Sequence, residues 1–404
     1  MKYLVVLGDG MADWKIPELG NKTCLEYANT PTLDSLAPKS EIGLCKTVPN
    51  GFKPGSDVAN MSVLGFNPQT FYTGRSPLEA VSMGIKLKDT DVTLRCNLVT
   101  LSDEEPYENK VMVDYSAGEI TTEEAERLIA SLKEKLDCDE YTFYAGIQYR
   151  HCLVLNCGAV GAELTPPHDI SDKRIANYLP KGVNSSIYGG LLKKSYEILS
   201  AHPVNVKRIK EGKKSANSIW LWGEGTKPAL AEFEKSRGKR GGIISAVDLV
   251  KGIGMLAGMK IIEVKGATGN YKTDFAGKAN AAADELIKNG LDFVYIHMEA
   301  PDECGHHGDF KHKVYSIEKI DGVVKTLIGR MESAGEDYAI LVCPDHPTPC
   351  AIKTHTSDPV PYLLHTNVKS LYNGANRYTE DEAKQTGEYL PQGHKLLEKL
   401  FAIK

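Results

Sequence analysis

No stretch of this chain stays apolar for the roughly 18 to 20 residues that a membrane-spanning helix needs. The amino-terminal run Met1-Lys-Tyr-Leu-Val-Val-Leu-Gly carries one lysine and is too short for the apolar core of a signal peptide. It reads as a first strand, and the protein as cytoplasmic. The nine cysteines are odd in number and contain no Cys-x-x-Cys pair, which argues against a disulfide framework or a zinc ribbon. Most read as small buried hydrophobes. Cys304 and Cys343 stand beside candidate ligand residues, where either packing or thiolate ligation suits them. A net charge of −5 gives no electrostatic reason to expect nucleic acid or an anionic membrane as partner. Internal repeats, low-complexity segments and a Gly-x-x-x-x-Gly-Lys-[Ser/Thr] nucleotide loop are all missing.

What is present is an ordinary globular composition, 42% apolar and 25% charged, over 404 residues, a length that suits two domains. Several strand-like apolar runs end in polar side chains. Residues 3 to 8 stop at Asp9-Gly10; Phe293-Val-Tyr-Ile-His-Met298 is followed by Asp302 and His306; Tyr338-Ala-Ile-Leu-Val-Cys343 is followed by Asp345, His346 and His355. Continuous apolar runs of this length predict buried parallel strands. In an open α/β sheet, ligands bind beyond the carboxyl ends of the strands. Pro54-Gly55 forces a turn before Ser56, and the apolar spacing from Asp57 to Leu64 predicts a helix. Ser56 therefore stands at a helix start, as a capping residue, as a nucleophile whose phosphorylated form the helix dipole would stabilise, or as both.

From about residue 88 the texture changes to alternating strands, with an amphipathic helix over 121–135 between them. Residues 90–220 read as an inserted, smaller α/β domain. Residues 1–89 and 221–404, with a strand-helix-strand rhythm from 241 to 264, read as one discontinuous domain on a mostly parallel sheet. The inserted part contributes Arg95, Asn97, Arg150, His151, His168 and Asp169 near strand ends, where they face either substrate or solvent. Arg75 offers the same two readings.

The strand-end groups Asp9, Ser56, Asp302, His306, Asp345, His346 and His355 are too many for one tetrahedral catalytic zinc. They suit two divalent ions of a phosphoryl-transfer site. Mixed Asp and His ligation favours Mn²⁺ or Zn²⁺ over Mg²⁺.

The runs Gly8-Asp-Gly-Met-Ala-Asp13, Gly55-Ser-Asp-Val-Ala-Asn-Met-Ser62, Glu299-Ala-Pro-Asp-Glu-Cys-Gly-His306, Pro344-Asp-His346 and Thr354-His-Thr356 resemble the archaeal-type branch of the cofactor-independent phosphoglycerate mutases, within the alkaline phosphatase superfamily. The resemblance extends to Tyr149-Arg-His151, Pro166-Pro-His-Asp169 and Trp220-Leu-Trp-Gly223, and so covers nearly the whole chain. It implies an alkaline phosphatase-like α/β/α sandwich. It also implies one metal held by Asp9, Ser56, Asp345 and His346, and a second held by Asp302, His306 and His355. The activity it implies interconverts 3-phosphoglycerate and 2-phosphoglycerate through a phosphoserine at Ser56, without 2,3-bisphosphoglycerate. Substrate contacts carry over to Arg150, His151, His168 and Asp169, and a lysine that helps activate the serine carries over to Lys251. Members proposed as homoserine kinase-like enzymes share the layout, so that reaction, and phosphomonoester hydrolysis, stand as alternatives.

Overall fold

A computed structural model describes residues 1–404. The chain divides into two compact units, Met1–Tyr72 with Ala229–Lys404, and Thr73–Pro228. The expected boundaries at 89/90 and 220/221 fall inside the second unit, for a packing reason. The helix Ser76–Ser82 lies on the strands Val92–Leu101 and Ser218–Thr226, and its Ala80 is buried with Cys152 and Val154 of a neighbouring strand. The end of Ser218–Thr226 is itself paired with Val92 and Thr93.

The first unit is built on an eight-stranded sheet. Its order is Lys260–Ile261, Gly241–Ile244, Phe293–Met298, Lys2–Gly8, Tyr338–Cys343, Val360–Thr366, Glu41–Cys45 and Tyr389–Leu390. Only Val360–Thr366 runs against its neighbours. The three central strands are rich in Val, Ile, Leu and aromatic residues, and nearly every side chain is buried, because helices cover both faces.

Alternation assigns the faces. Leu4, Val6, Val294 and Ile340 share a core with Ala279, Ala283, Ile317, Ile320 and Leu327, from the helices Phe275–Ile287 and Phe310–Ser333. On the other face the Tyr3 ring meets Phe401 edge-on at 5.0 Å, and Phe293 stacks on Phe233 at 5.3 Å. The product is the expected α/β/α layering on a mostly parallel sheet. Each fully buried aliphatic side chain contributes about 1.5–3 kcal/mol, so a charge at Ile320 would break the first face. Parallel strands also bring their carboxyl ends to one edge, which places the segments after Gly8, Ile244, Met298 and Cys343 together.

The second unit is a five-stranded antiparallel sheet. Val92–Leu101 pairs with Arg150–Leu155, Met112–Asp114 and Ser218–Thr226, and Tyr141–Tyr144 lies beyond Arg150–Leu155. The helix Thr122–Leu136 buries Ala125, Leu128, Ile129, Leu132 and Leu136, one face at helical spacing, and the Thr121 side chain caps its start. No helix of the chain is long and apolar enough to cross a membrane.

Candidate active site

Asp9 follows the central strand directly, and Asp345 and His346 follow Tyr338–Cys343. All three are buried, and one ligand atom from each lies within 4.8 Å of the others. Asp345 Oδ1 accepts from the backbone N–H of Gly10 (3.1 Å) and of His346 (2.8 Å). Asp9 Oδ2 is 2.9 Å from His297 Nε2, whose ring Nδ1 meets Ser245 Oγ at 3.3 Å. Burial pushes His297 down to about 3, so the ring is neutral and donates its Nε2–H to Asp9. Asp9 Oδ1 is buried with no hydrogen-bond partner. Burial, followed by the charges of Asp345, Asp302 and Glu299, raises the Asp9 carboxyl well above the usual range. A buried carboxylate oxygen left bare among other carboxylates fits a cation.

Ser56 opens the helix Ser56–Val63, with Gly55 at the capping position and no side-chain cap. Freed from capping, its Oγ lies 3.1 Å from His346 Nε2. The tautomer of that ring follows from its other side. The Thr348 hydroxyl donates to Asp302 Oδ1, so its oxygen accepts from His346 Nδ1–H at 3.3 Å. Burial lowers the His346 pKa, so the neutral ring turns a lone pair at Nε2 toward Ser56.

The second group is set by helical spacing. Asp302 and His306 are four residues apart on the helix Ala300–His307 and share a face, with His306 Nε2 at 3.3 Å from Asp302 Oδ2. His355 Nε2 lies 3.4 Å from Asp302 Oδ1 and 2.8 Å from His306 Nε2. The Nδ1 of His306 faces the Lys353 carbonyl (3.0 Å) and that of His355 the Pro54 carbonyl (3.4 Å), so both Nδ1 atoms carry hydrogen. Two Nε2 lone pairs therefore face each other beside a carboxylate, an arrangement that calls for positive charge between them, a proton or a metal ion. Burial alone would raise Asp302, but its contacts with the His306 and His355 rings, which favour the carboxylate once positive charge is shared among them, hold it well below the usual carboxylate range. The same Asp302 carboxylate raises His306. His346 also lies within 4.8 Å of Asp302 and His355, so the two groups share an edge. Donor chemistry and bare lone pairs fit two divalent cations with Asp and His ligands.

The second unit holds a different cluster. Glu79 is held below its usual range: burial pushes it up, but Arg95 and Arg75 overcome that, with Arg150 adding to them. Arg95 Nε is 2.7 Å and Arg75 Nε 2.8 Å from its carboxylate oxygens. Arg95 also lies over the Trp222 ring at 4.1 Å. His168 meets Trp222 and Tyr115 edge-on and Asp169 at 3.7 Å.

Of the residues expected from sequence, the structure gathers Asp9, Ser56, Asp302, His306, Asp345, His346 and His355 in the first unit. It brings Arg75 and Arg150 around Glu79 in the second, with His168 and Asp169 forming a contact of their own. Two expected residues make other contacts. Lys251, carried over as a serine-activating lysine, is paired with Glu263 at 3.0 and 3.3 Å, because an acidic side chain just beyond the neighbouring strand is within its reach. His151, carried over as a substrate contact, is buried, and its Nδ1 accepts the Gly146 N–H at 3.0 Å, so its ring holds a loop. Cys304 and Cys343 are buried thiols pushed up by desolvation, and neither belongs to a ligand group. Sequence reasoning missed His297 and Thr348. The signal for His297 was an imidazole inside an otherwise apolar strand; a single threonine in a loop gave none.

The profile of the 2,3-bisphosphoglycerate-independent phosphoglycerate mutase family matches residues 37–205. A protein of that name from Methanosarcina acetivorans is 46% identical over 405 residues, covering 100% of both chains. One from Geobacter sulfurreducens, named as probable, is 47% identical over 402 residues, covering 99% of this chain and 100% of that one. Among solved structures, a Pyrococcus horikoshii protein superposes with a TM-score of 0.82 at 28% identity, covering 99% and 96% of the two chains. The cofactor-independent phosphoglycerate mutase of Thermoplasma acidophilum shares the fold, with a TM-score of 0.68 at 24% identity over 100% of both. With full-length relatives at this identity, the chain belongs to the 2,3-bisphosphoglycerate-independent phosphoglycerate mutase family.

Proposed function

We propose that this protein interconverts 3-phosphoglycerate and 2-phosphoglycerate, with the phosphoryl group resting in between on Ser56. The names of its full-length relatives support the reaction. The observation that carries the mechanism is the Ser56 hydroxyl at a helix start, 3.1 Å from the lone pair of His346, beside two groups short of positive charge.

Asp9, Asp345, His346 and Ser56 would hold one divalent cation, and Asp302, His306 and His355 the other. Once bound, they would supply positive charge against the phosphoryl oxygens and lower the pKa of the serine hydroxyl. The mixed donor set suits Mn²⁺.

The chain's own part is positioning. In the first transfer the bond between Ser56 Oγ and phosphorus forms as the bond from phosphorus to O3 of the substrate breaks, and the hydroxyl proton passes to O3. In the second, O2 of glycerate takes the phosphorus, its proton returning to Ser56. The backbone N–H groups of Ser56 and Asp57 open that helix and would meet phosphate oxygens in the intermediate, while the Val58 N–H donates to Asp57 Oδ1 at 2.9 Å. Arg75 and Arg150 offer charge-assisted hydrogen bonds of the kind an acidic substrate takes.

Phosphorus NMR of 3-phosphoglycerate with enzyme and Mn²⁺, without 2,3-bisphosphoglycerate, tests the reading. Growth of the 2-phosphoglycerate signal is expected. Release of inorganic phosphate alone, or no conversion by metal-loaded enzyme, overturns it.

A further inference from the structure

Asn60 stands one helical turn beyond Ser56 and is fully buried. Its side-chain amide nitrogen donates to the Ser56 carbonyl oxygen at 2.9 Å and to Asp345 Oδ2 at 2.9 Å. Its amide oxygen accepts from the Tyr295 hydroxyl at 2.7 Å. Both donor hydrogens and the acceptor are therefore in use. The orientation of the amide has no alternative, because a flip would set its oxygen against a carbonyl and a carboxylate. Tyr295 in turn is fixed. It lies in the central strand Phe293–Met298, fully buried, on the sheet face that carries His297. Burial keeps its phenol protonated, so it donates.

From this geometry we infer that Asn60 is a positioning residue that locks the nucleophile's backbone to a ligand carboxylate, with Tyr295 as its anchor. The inference rests on the proposed phosphoserine reading and deepens it. Asp345 has four hydrogen-bonding directions at its two oxygens. Oδ1 is held by two backbone N–H groups, and Asn60 takes one place on Oδ2, which leaves the remaining lone pair of Oδ2 a single direction in which to point. The same side chain holds the first carbonyl of the helix that presents Ser56 Oγ. One amide thus ties nucleophile and ligand carboxylate into a single rigid body. Asparagine alone among residues of this size offers two donors on one atom and an acceptor opposite. Aspartate there would set a carboxylate against Asp345 and a carbonyl.

The test measures Mn²⁺ binding by equilibrium dialysis, together with kcat and KM for 3-phosphoglycerate, on the full chain and on Asn60→Ala and Tyr295→Phe. The second variant keeps the packed ring, loses only the oxygen, and serves even if Asn60→Ala does not fold. For Asn60→Ala, one of two Mn²⁺ sites is expected to weaken by about 10- to 100-fold. Its kcat should fall while KM stays within about twofold, since the second unit is untouched. Tyr295→Phe is expected to move the same two quantities in the same direction by a smaller factor. Wild-type Mn²⁺ affinity and kcat in both variants overturn the inference, as does equal weakening of both sites, which would mean general loosening. Failure of the wild type to bind Mn²⁺ overturns it together with the metal reading. Should the wild type bind two Mn²⁺ ions without isomerising 3-phosphoglycerate, the function reading falls alone. Asn60 is then judged on metal affinity, where the site-selective loss supports the inference and its absence overturns it.

Discussion

The two units concentrate opposite kinds of charge. In the first, buried carboxylates and imidazole lone pairs converge with too little positive charge: Asp9 Oδ1 has no hydrogen-bond partner, and His306 and His355 face each other nitrogen to nitrogen. In the second, positive charge gathers instead, with Arg75, Arg95 and Arg150 set around the Glu79 carboxylate. The sheets explain the difference in construction. Parallel strands deliver loops from distant parts of the chain to one edge, so Asp9 meets Asp302 and Asp345 although about 300 residues separate it from them. An antiparallel sheet lays neighbours out along a face. Arg95 pairs with Cys152 and Asn97 with Arg150, so Arg95 and Arg150 occupy diagonal positions on one surface. The first arrangement suits chemistry at a point, the second recognition of an extended anion.

If that division holds, substitutions in the two units should separate kcat from KM. Ser56→Ala carries the largest expected effect, a loss of at least about 10³-fold in turnover with unfolding temperature unchanged, as for a missing nucleophile. Steady-state assay and calorimetry decide it; retained turnover would remove the covalent step. Asp302→Asn, or chelator treatment of the wild type, comes next. Turnover should fall by about 10²-fold or more, and in the chelated enzyme should return on adding Mn²⁺. Arg75→Ala should act on the other side of the comparison. Losing one charge-assisted contact is worth about 1.5–3 kcal/mol, so KM should rise about 10- to 100-fold with kcat little changed. An equal fall in kcat would break the division of labour.

Acid should weaken both units through buried histidines, of which His151 and His365 lie away from the candidate site. Burial pushes His151 down to about 3 and His365 to about 4. Both folded pKa values lie below the unfolded value, so their contribution is complete above about pH 6.5 and is lost as pH falls toward 4 and 3. Denaturation midpoints taken between pH 7 and 4 should drop by about 1–3 kcal/mol equivalent, and His365→Gln should flatten part of that slope. The smallest effect belongs to Lys251→Ala. Its partner Glu263 is largely exposed, and such pairs contribute about 0–1 kcal/mol, so activity should stay within about twofold.

The gathering of Asp9, Asp302, Asp345 and His346 was legible because these residues stand at or just past apolar runs, a position where a sheet has few structural uses for Asp or His. Asp302 and His306 added helical spacing. Lys251 was ambiguous because a lysine on an amphipathic helix looks the same whether it meets a serine or a glutamate. His151 misled for a related reason. It adjoins Arg150 in sequence, but successive strand residues point to opposite faces, and only the exposed one meets the arginine cluster. The exact domain limits depended on the packing of Ser76–Ser82 against strands more than a hundred residues away in part, which no local pattern records. Asn60 read as one more polar residue on a short helix, since its three partners come from separate segments.

The place of the first strand has a consequence for biosynthesis. Lys2–Gly8 is paired on one side with Phe293–Met298 and on the other with Tyr338–Cys343. It is synthesised well before either partner. At about 5–20 residues per second, the roughly 330 intervening residues take about 15–70 s to synthesise. Throughout that interval an apolar run of high strand propensity is exposed. Nascent chains halted before residue 293 should therefore bind a holdase chaperone through this strand, and chains that have released Cys343 should not.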